Sequence, residues 1–165
     1  MKATIIYESK SGHTKEMAHI IQKGMEKYLD VKSFSVDTID ETWLNESKCI
    51  IIGSPTYYVD ISSTMKSFLE TLGKYQLTGK LGGAFSTAGF VYGGGDIAIE
   101  NILKHLLFYG MMVYSSGCSE NPPIHLGPVA INNIKETEVI FETYGERMAK
   151  QTLNIFKGAN YIKFK

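Results

Sequence analysis

The sequence predicts an α/β fold: a five-stranded parallel sheet in the order 2-1-3-4-5, with helices on both faces. Three observations predict it. Short β-rich runs alternate with helical periods along the chain. The runs at residues 3–7 and 49–52 are apolar without alternation, as strands buried on both faces are. The 165 residues, 44% hydrophobic and 21% charged, suit a single domain spanning residues 1–165 with its own core.

Each element has its own signal. Residues 3–7 read as the first strand. Met17, Ile20, Ile21, Met25, Tyr28 and Leu29 then form one stripe of an amphipathic helix. Residues 31–36 alternate as an edge strand does, and Thr38 with Glu41 suggests a capping box for a short helix ending near Asn45. Residues 49–52 should be central in the sheet. Ile61, Met65, Phe68, Leu69 and Leu72 mark the next helix, with Asp60 as its N-cap and Gly73 as its stop. Residues 81–87 form the fourth strand, where Gly82 and Gly83 allow close packing. Ile99, Ile102, Leu103, Leu106 and Leu107 give a helix ended by Gly110. Residues 111–114 read as the fifth strand and 116–132 as loop. Phe141, Tyr144, Met148, Ala149, Thr152 and Phe156 line the last helix, with Gly158 just past its end. Right-handed crossovers place these helices on both faces.

Composition excludes several functions. Seventeen basic and seventeen acidic residues cancel, and Arg147 is the sole arginine, so a generic grip on nucleic acid is not expected. The apolar run at the start is too short for a signal peptide, and no stretch is long enough to span a membrane. Cys49 and Cys118 form no CxxC pair and suit a reducing cytoplasm, with Cys118 an inert thiol. His13, His19, His105 and His125 show no metal-ligand spacing, and no GxSxG elbow is present.

The chemistry lies in three loops. Ser9-Lys10-Ser11-Gly12-His13-Thr14 joins a buried strand to a long helix, where free N–H groups and the helix dipole favour an anion. Its hydroxyls around one glycine make a cup the size of a phosphate; the same residues also suit plain helix capping. The loop matches neither GxxxxGK[ST] nor GxGxxG, which disfavours a triphosphatase or a dinucleotide site here. Tyr57 and Tyr58, after Pro55 and Thr56, suit stacking on a planar ligand or packing on their own loop. Residues 86–95 carry glycines at 89, 93, 94 and 95, as a backbone lying against a ligand or a flexible connector would. In a 2-1-3-4-5 sheet these loops meet at the switch-point crevice. A phosphate cup, an aromatic wall and a glycine strip together suit flavin mononucleotide (FMN).

These segments resemble known motifs. The loop at residues 9–14 resembles the T-x-T-G-x-T phosphate loop of the flavodoxin-like superfamily. Gly53-Ser54-Pro55-Thr56-Tyr57-Tyr58, with Met65-Lys66-Ser67-Phe68-Leu69, is similar to a stretch of the tryptophan-repressor-binding-protein-like NAD(P)H:quinone oxidoreductases, as are residues 79–94 and 105–113. The resemblance implies a flavodoxin-like three-layer sandwich. It places Ser9, Ser11, Gly12, His13 and Thr14 on the FMN phosphate, and Pro55, Thr56, Tyr57 and Tyr58 along the isoalloxazine and ribityl chain. Thr87, Ala88, Gly89 and Phe90 would offer backbone N–H groups to the pyrimidine side, with Tyr92 and Gly93 beside them. Tyr92 stands where the quinone reductases usually have His. Val59 stands where carrier flavodoxins tend to have Gly near flavin N5, and a β-branched residue resists positive φ.

Two functions follow from the resemblance. The favoured one is an FMN-dependent oxidoreductase passing electrons from NAD(P)H to a quinone-like acceptor, with the flavin rather than a side chain carrying the chemistry, in a chain that pairs as a homo-oligomer in some of its relatives. The alternative is an electron carrier between a reductase and an acceptor protein. Zero net charge disfavours the carrier, since such carriers dock through acidic surfaces; the short chain favours it.

Overall fold

The computed structural model describes residues 1–132 and 134–158. Its strands and helices are β1 (Lys2–Tyr7), α1 (His13–Glu26), β2 (Asp30–Ser35), α2 (Glu41–Glu46), β3 (Cys49–Tyr57), β4 (Asp60–Ile61), α3 (Ser63–Glu70), β5 (Leu81–Ala88), α4 (Gly95–Phe108), β6 (Met112–Val113), β7 (Val129–Ile131) and α5 (Ile134–Gly158). The domain expected over residues 1–165 includes residues 133 and 159–165, which lie outside the described residues.

The apolar runs become central strands because only full burial on both faces satisfies them. β1 lies between β2 and β3, and β3 between β1 and β5, all parallel. Alternate residues feed two cores. Ile5, Ile51 and Phe85 pack with Met17, Ile21, Phe141 and Tyr144 under α1 and α5. Ile6, Ile50, Ile52 and Ala84 pack with Leu44, Met65, Leu69, Ile99 and Ile102 under α2, α3 and α4. The result is three layers.

Among the described residues the sheet has seven strands rather than five, in the path β2-β1-β3-β5-β6 with β4 and β7 attached beside it. Two local events explain the difference. β3 does not stop at Ile52 but runs to Tyr57, because Gly53, Ser54 and Pro55 stay paired with Phe85, Ser86 and Thr87 of β5. The chain then reverses over Tyr58 and Val59 into β4, which pairs antiparallel with β3. Secondly, the last strand is split. β6 pairs only with Leu81 and Gly82, residues 114–128 leave the edge, and β7 returns beside Ser86–Ala88. The expected fourth and fifth strands are thus β5 and β6, and the stretch read as loop contains β7.

The sole arginine is one of the ties that hold the excursion at residues 114–128, beside the buried Ile124 and the Ser86 N–H on the Pro128 carbonyl. Arg147 is buried on α5; its guanidinium donates to Ser116 Oγ at 3.0 Å and to the Pro122 carbonyl at 2.8 Å, and pairs with Glu120 at 3.2 Å. A guanidinium supplies these several directions from one planar group.

Several caps differ from expectation. Asp40, not Thr38, caps α2, its carboxylate accepting from Trp43 N at 2.9 Å. Glu41 instead accepts from Lys74 at 2.8 Å, and that ammonium holds its carboxyl below the usual range. Ser62 caps α3 through Met65 N, while Asp60 accepts from Ile61 N and Asn101 Nδ2, both at 2.7 Å. α3 ends at Glu70, and Gly73 lies in the following 3₁₀ turn rather than stopping the helix itself. Gly110, at φ +78°, does end α4, whereas Gly158 is the last residue of α5 instead of lying beyond it. The Cys49 thiol is fully buried, and burial pushes it up to about 12, which keeps it protonated and inert.

α1 and α5 cross at glycine. A Cβ on Gly24 would overlap the Glu142 carbonyl oxygen, and one on Gly145 would overlap that of Ile21. Lys27 spans the same crossing to Glu142 and Glu146 at 2.7 and 2.6 Å.

Candidate functional site

Parallel strands end on the same side, so the C-terminal ends of β1, β3 and β5 open onto one shallow cleft of about 170 Å³. Strand β7 supplies its far wall.

One end is the turn into α1. Gly12 is the N-cap of this fourteen-residue helix and sits at φ +95°, a conformation open to glycine, with no side chain capping the helix. Among the described residues, no protein acceptor takes the N–H groups of residues 10–14. No atom lies within 4 Å of where a Gly12 Cβ would stand. Ser11 and His13 line the cleft beside these donors. Ser9 turns its hydroxyl to Lys15 N at 3.3 Å, and Thr14 is buried, sharing a 2.9 Å hydrogen bond with Thr87 Oγ1. That bond ties the turn to the end of β5.

The floor and walls come from Pro55, Thr56 and Tyr57 of β3 and from Thr87 and Ala88 of β5, with Gly89 following. Thr56 Oγ1 is buried with no hydrogen-bond partner among the described residues. A buried hydroxyl without a partner costs roughly 1–3 kcal/mol, so its position on the lining marks a place for a ligand's polar group. No atom lies within 4 Å of a Cβ position on Gly89 either, leaving its backbone bare to the cleft.

Other expected residues stand outside. Tyr58 is at the hairpin tip and fully exposed; Phe90 and Tyr92 are 77% and 98% exposed beyond the rim. Gly93 N donates to the Phe90 carbonyl at 2.9 Å, closing a turn. The glycine strip is therefore mostly packing. Gly94, at φ +89°, starts α4, and a Cβ there would meet Val59 at 2.6 Å; one on Gly95 would meet Val129 at 2.5 Å. Only Gly89 of the four lines the cleft.

Two lining residues were missed. Ala130 and Asn132 reach the cleft through β7, and the Asn132 amide donates to the Gly89 carbonyl. Asn132, a polar residue just after a short apolar triplet, was the available signal. His125 faces a separate groove between the excursion and β7. His105 bridges the Asn101 carbonyl and Lys66 Nζ on the surface of α4.

Val59 overturns an expectation. Both Tyr58 and Val59 have positive φ, +51° and +67°, in a two-residue hairpin loop. The short connection between β3 and β4 demands it, although Asn-Gly is the pair that adopts it without strain. Replacing Val59 by glycine should therefore raise stability by about 1 kcal/mol, after the entropy of the freer chain is subtracted. The thermal midpoint would rise by roughly 2–4 °C.

The cleft therefore combines unpaired backbone donors at a helix start, an orphaned hydroxyl and a bare backbone strip, and these fit a planar ligand with a phosphate tail. A family model described as "Flavodoxin domain" matches residues 4–90, more than half of the chain. The flavodoxin of Clostridium saccharobutylicum is 44% identical over 160 residues, covering 94% of this chain and 100% of its own. An NAD(P)H dehydrogenase (quinone) of Cupriavidus metallidurans is 28% identical over 160 residues, covering 81% of this chain and 77% of its own. The solved structure of Fusobacterium nucleatum flavodoxin bound to flavin mononucleotide shares the fold, with a TM-score of 0.69 at 17% identity over 95% of this chain and 98% of that one. This chain belongs to the flavodoxin family.

Proposed function

We propose that this protein is an FMN-holding electron carrier working between protein partners, as one domain over residues 1–165 in a reducing cytoplasm. The observation that carries the reading is the end-to-end match to a flavodoxin, which covers 94% of this chain and 100% of that relative. The cleft agrees. Among the described residues, no Lys, Arg, Asp or Glu lines the cleft, which offers a nicotinamide dinucleotide no charged anchor from them.

The residues divide the work. N–H groups at residues 10–14, with Ser11 and His13, hold the phosphate against the α1 dipole. Ser9 and Thr14 shape that turn from outside. Thr56 Oγ1 meets a polar group of the ribityl chain, and Pro55 and Tyr57 wall the ring. Thr87, Ala88 and Gly89 present backbone to the pyrimidine edge, with Asn132 holding the Gly89 carbonyl aside. Bound FMN supplies reversible electron storage; the protein supplies position and a fixed dipole field.

The quinone-oxidoreductase reading favoured by the sequence stands second, supported by the more distant quinone dehydrogenase relative. An anaerobic experiment separates the two. NADH or NADPH added to FMN-loaded protein should leave the flavin absorbance unchanged, and a ferredoxin-type reductase should then bleach it. Rapid bleaching by the nucleotide alone would establish the oxidoreductase instead.

A further inference from the structure

The loops that meet at the cleft are nearly free of charge. Apart from His13, residues 9–14, 54–59 and 86–95 hold one ionisable side chain of the Lys, Arg, Asp and Glu kinds, and it is Lys10. A lysine inside an anion-binding turn ordinarily serves as a point charge on the anion. Lys10 is turned elsewhere. Its ammonium lies 4.8 Å from the centroid of the Tyr57 ring, within the range of a cation–π contact. Among the described residues it joins no ion pair. Tyr57 lines the cleft and Lys10 does not, so the ring stands between the ammonium and the site.

The neighbouring acids do not claim this cation. Asp60 is the register partner of Tyr57 across the hairpin, but its carboxylate accepts from Ile61 N and Asn101 Nδ2, both at 2.7 Å. Glu8 follows β1 and is buried, with one carboxylate oxygen that has no partner among the described residues.

We infer that Lys10, held in place by the Tyr57 ring, sets the reduction potential of the bound flavin by favouring its reduced form. The inference rests on the FMN reading of the cleft. In mildly alkaline buffer, reduction adds two electrons and one proton, so the reduced ring gains one negative charge. A nearby ammonium stabilises that charge, and its exposure leaves it open to screening by salt. The Tyr57 face acts as the tether. Without it the long stem carries the ammonium into water, and the preference for the reduced form fades.

The test measures the two-electron midpoint potential in mildly alkaline buffer without oxygen, against a reference dye, with dithionite oxidised to sulfite as the electron source. Protein loaded with FMN is compared with protein loaded with riboflavin. Lys10→Met should make reduction about fivefold less favourable, a fall of about 20 mV for a two-electron couple. Lys10→Arg keeps the charge and the ring contact and should stay within about twofold of the parent. In a Tyr57→Leu background, Lys10→Met should shift the equilibrium by less than about twofold. The difference between parent and Lys10→Met should narrow from about 20 to 500 mM salt. The same shift should appear with riboflavin, because the phosphate takes no part. Affinity for oxidised FMN should stay within about twofold, the loss falling by linkage on the reduced flavin.

Four results would overturn the inference: an unchanged potential in Lys10→Met, a Lys10→Arg potential equal to that of Lys10→Met, an undiminished shift in the Tyr57→Leu background, or a loss confined to FMN and absent with riboflavin. The last would make Lys10 a clamp on the phosphate. Failure of the parent chain to bind FMN would instead sink the cofactor reading. A flavin titration, done first, separates the two failures.

Discussion

Gly24→Ala should cost this fold more than about 3 kcal/mol, visible as a thermal midpoint lowered by at least about 8 °C. The sign runs against helix propensity, which favours alanine over glycine by about 1 kcal/mol in a helix interior. Packing decides it. The added methyl would overlap the Glu142 carbonyl oxygen of α5, which is backbone and cannot rotate away. The reciprocal contact at Gly145 against Ile21 means that neither helix can slide without opening the other side. Separation would pull Phe141, Tyr144 and Met148 out of their contacts with Met17 and Ile21. The ion pairs of Lys27 cannot compensate, being exposed and worth little. Gly145→Ala should behave alike. A midpoint equal to or above that of the parent would show that the crossing is looser than its geometry.

Gly12→Asp should weaken FMN binding by roughly a thousandfold and leave riboflavin binding nearly unchanged. A carboxylate beside the phosphate brings like charges to about 4 Å, worth about 4 kcal/mol at the effective dielectric of a protein surface. Space does not limit the substitution, because no atom stands within 4 Å of the new Cβ. Backbone strain at φ +95° affects both ligands alike. The difference between the two flavins therefore isolates the phosphate. Equal losses for FMN and riboflavin would mean that the turn holds some other part of the molecule.

Much of this molecule was legible where one segment carries its own signal. The stripe from Met17 to Leu29 and the apolar run at residues 49–52 needed no partner to declare themselves. Illegible features depend on a neighbour. Gly53-Ser54-Pro55 reads as a turn in isolation and is strand only because β5 lies beside it. β7 has three residues and is defined by the same neighbour from its other side. Asp60 and Ser62 are both good cap residues, and the hairpin over Tyr58 and Val59 decides between them. In the cleft, the meeting of the turn into α1 with the ends of β3 and β5 followed from the loop positions in the sequence. The share of Ala130 and Asn132 did not, because it requires the split strand.

That split strand gives the cofactor wall a stability of its own. β7 joins the sheet through only three residues, at the end of an excursion held by Arg147, by the buried Ile124 and by Ser86 N on the Pro128 carbonyl, and so short an attachment should open before β1, β3 and β5 do. Ligand binding stabilises such a fragile unit by mass action without touching the rest. Deuterium uptake at Val129–Ile131 should accordingly slow when flavin is present, whereas uptake by the amides of residues 50–52 follows complete unfolding and reports the strength of the whole molecule.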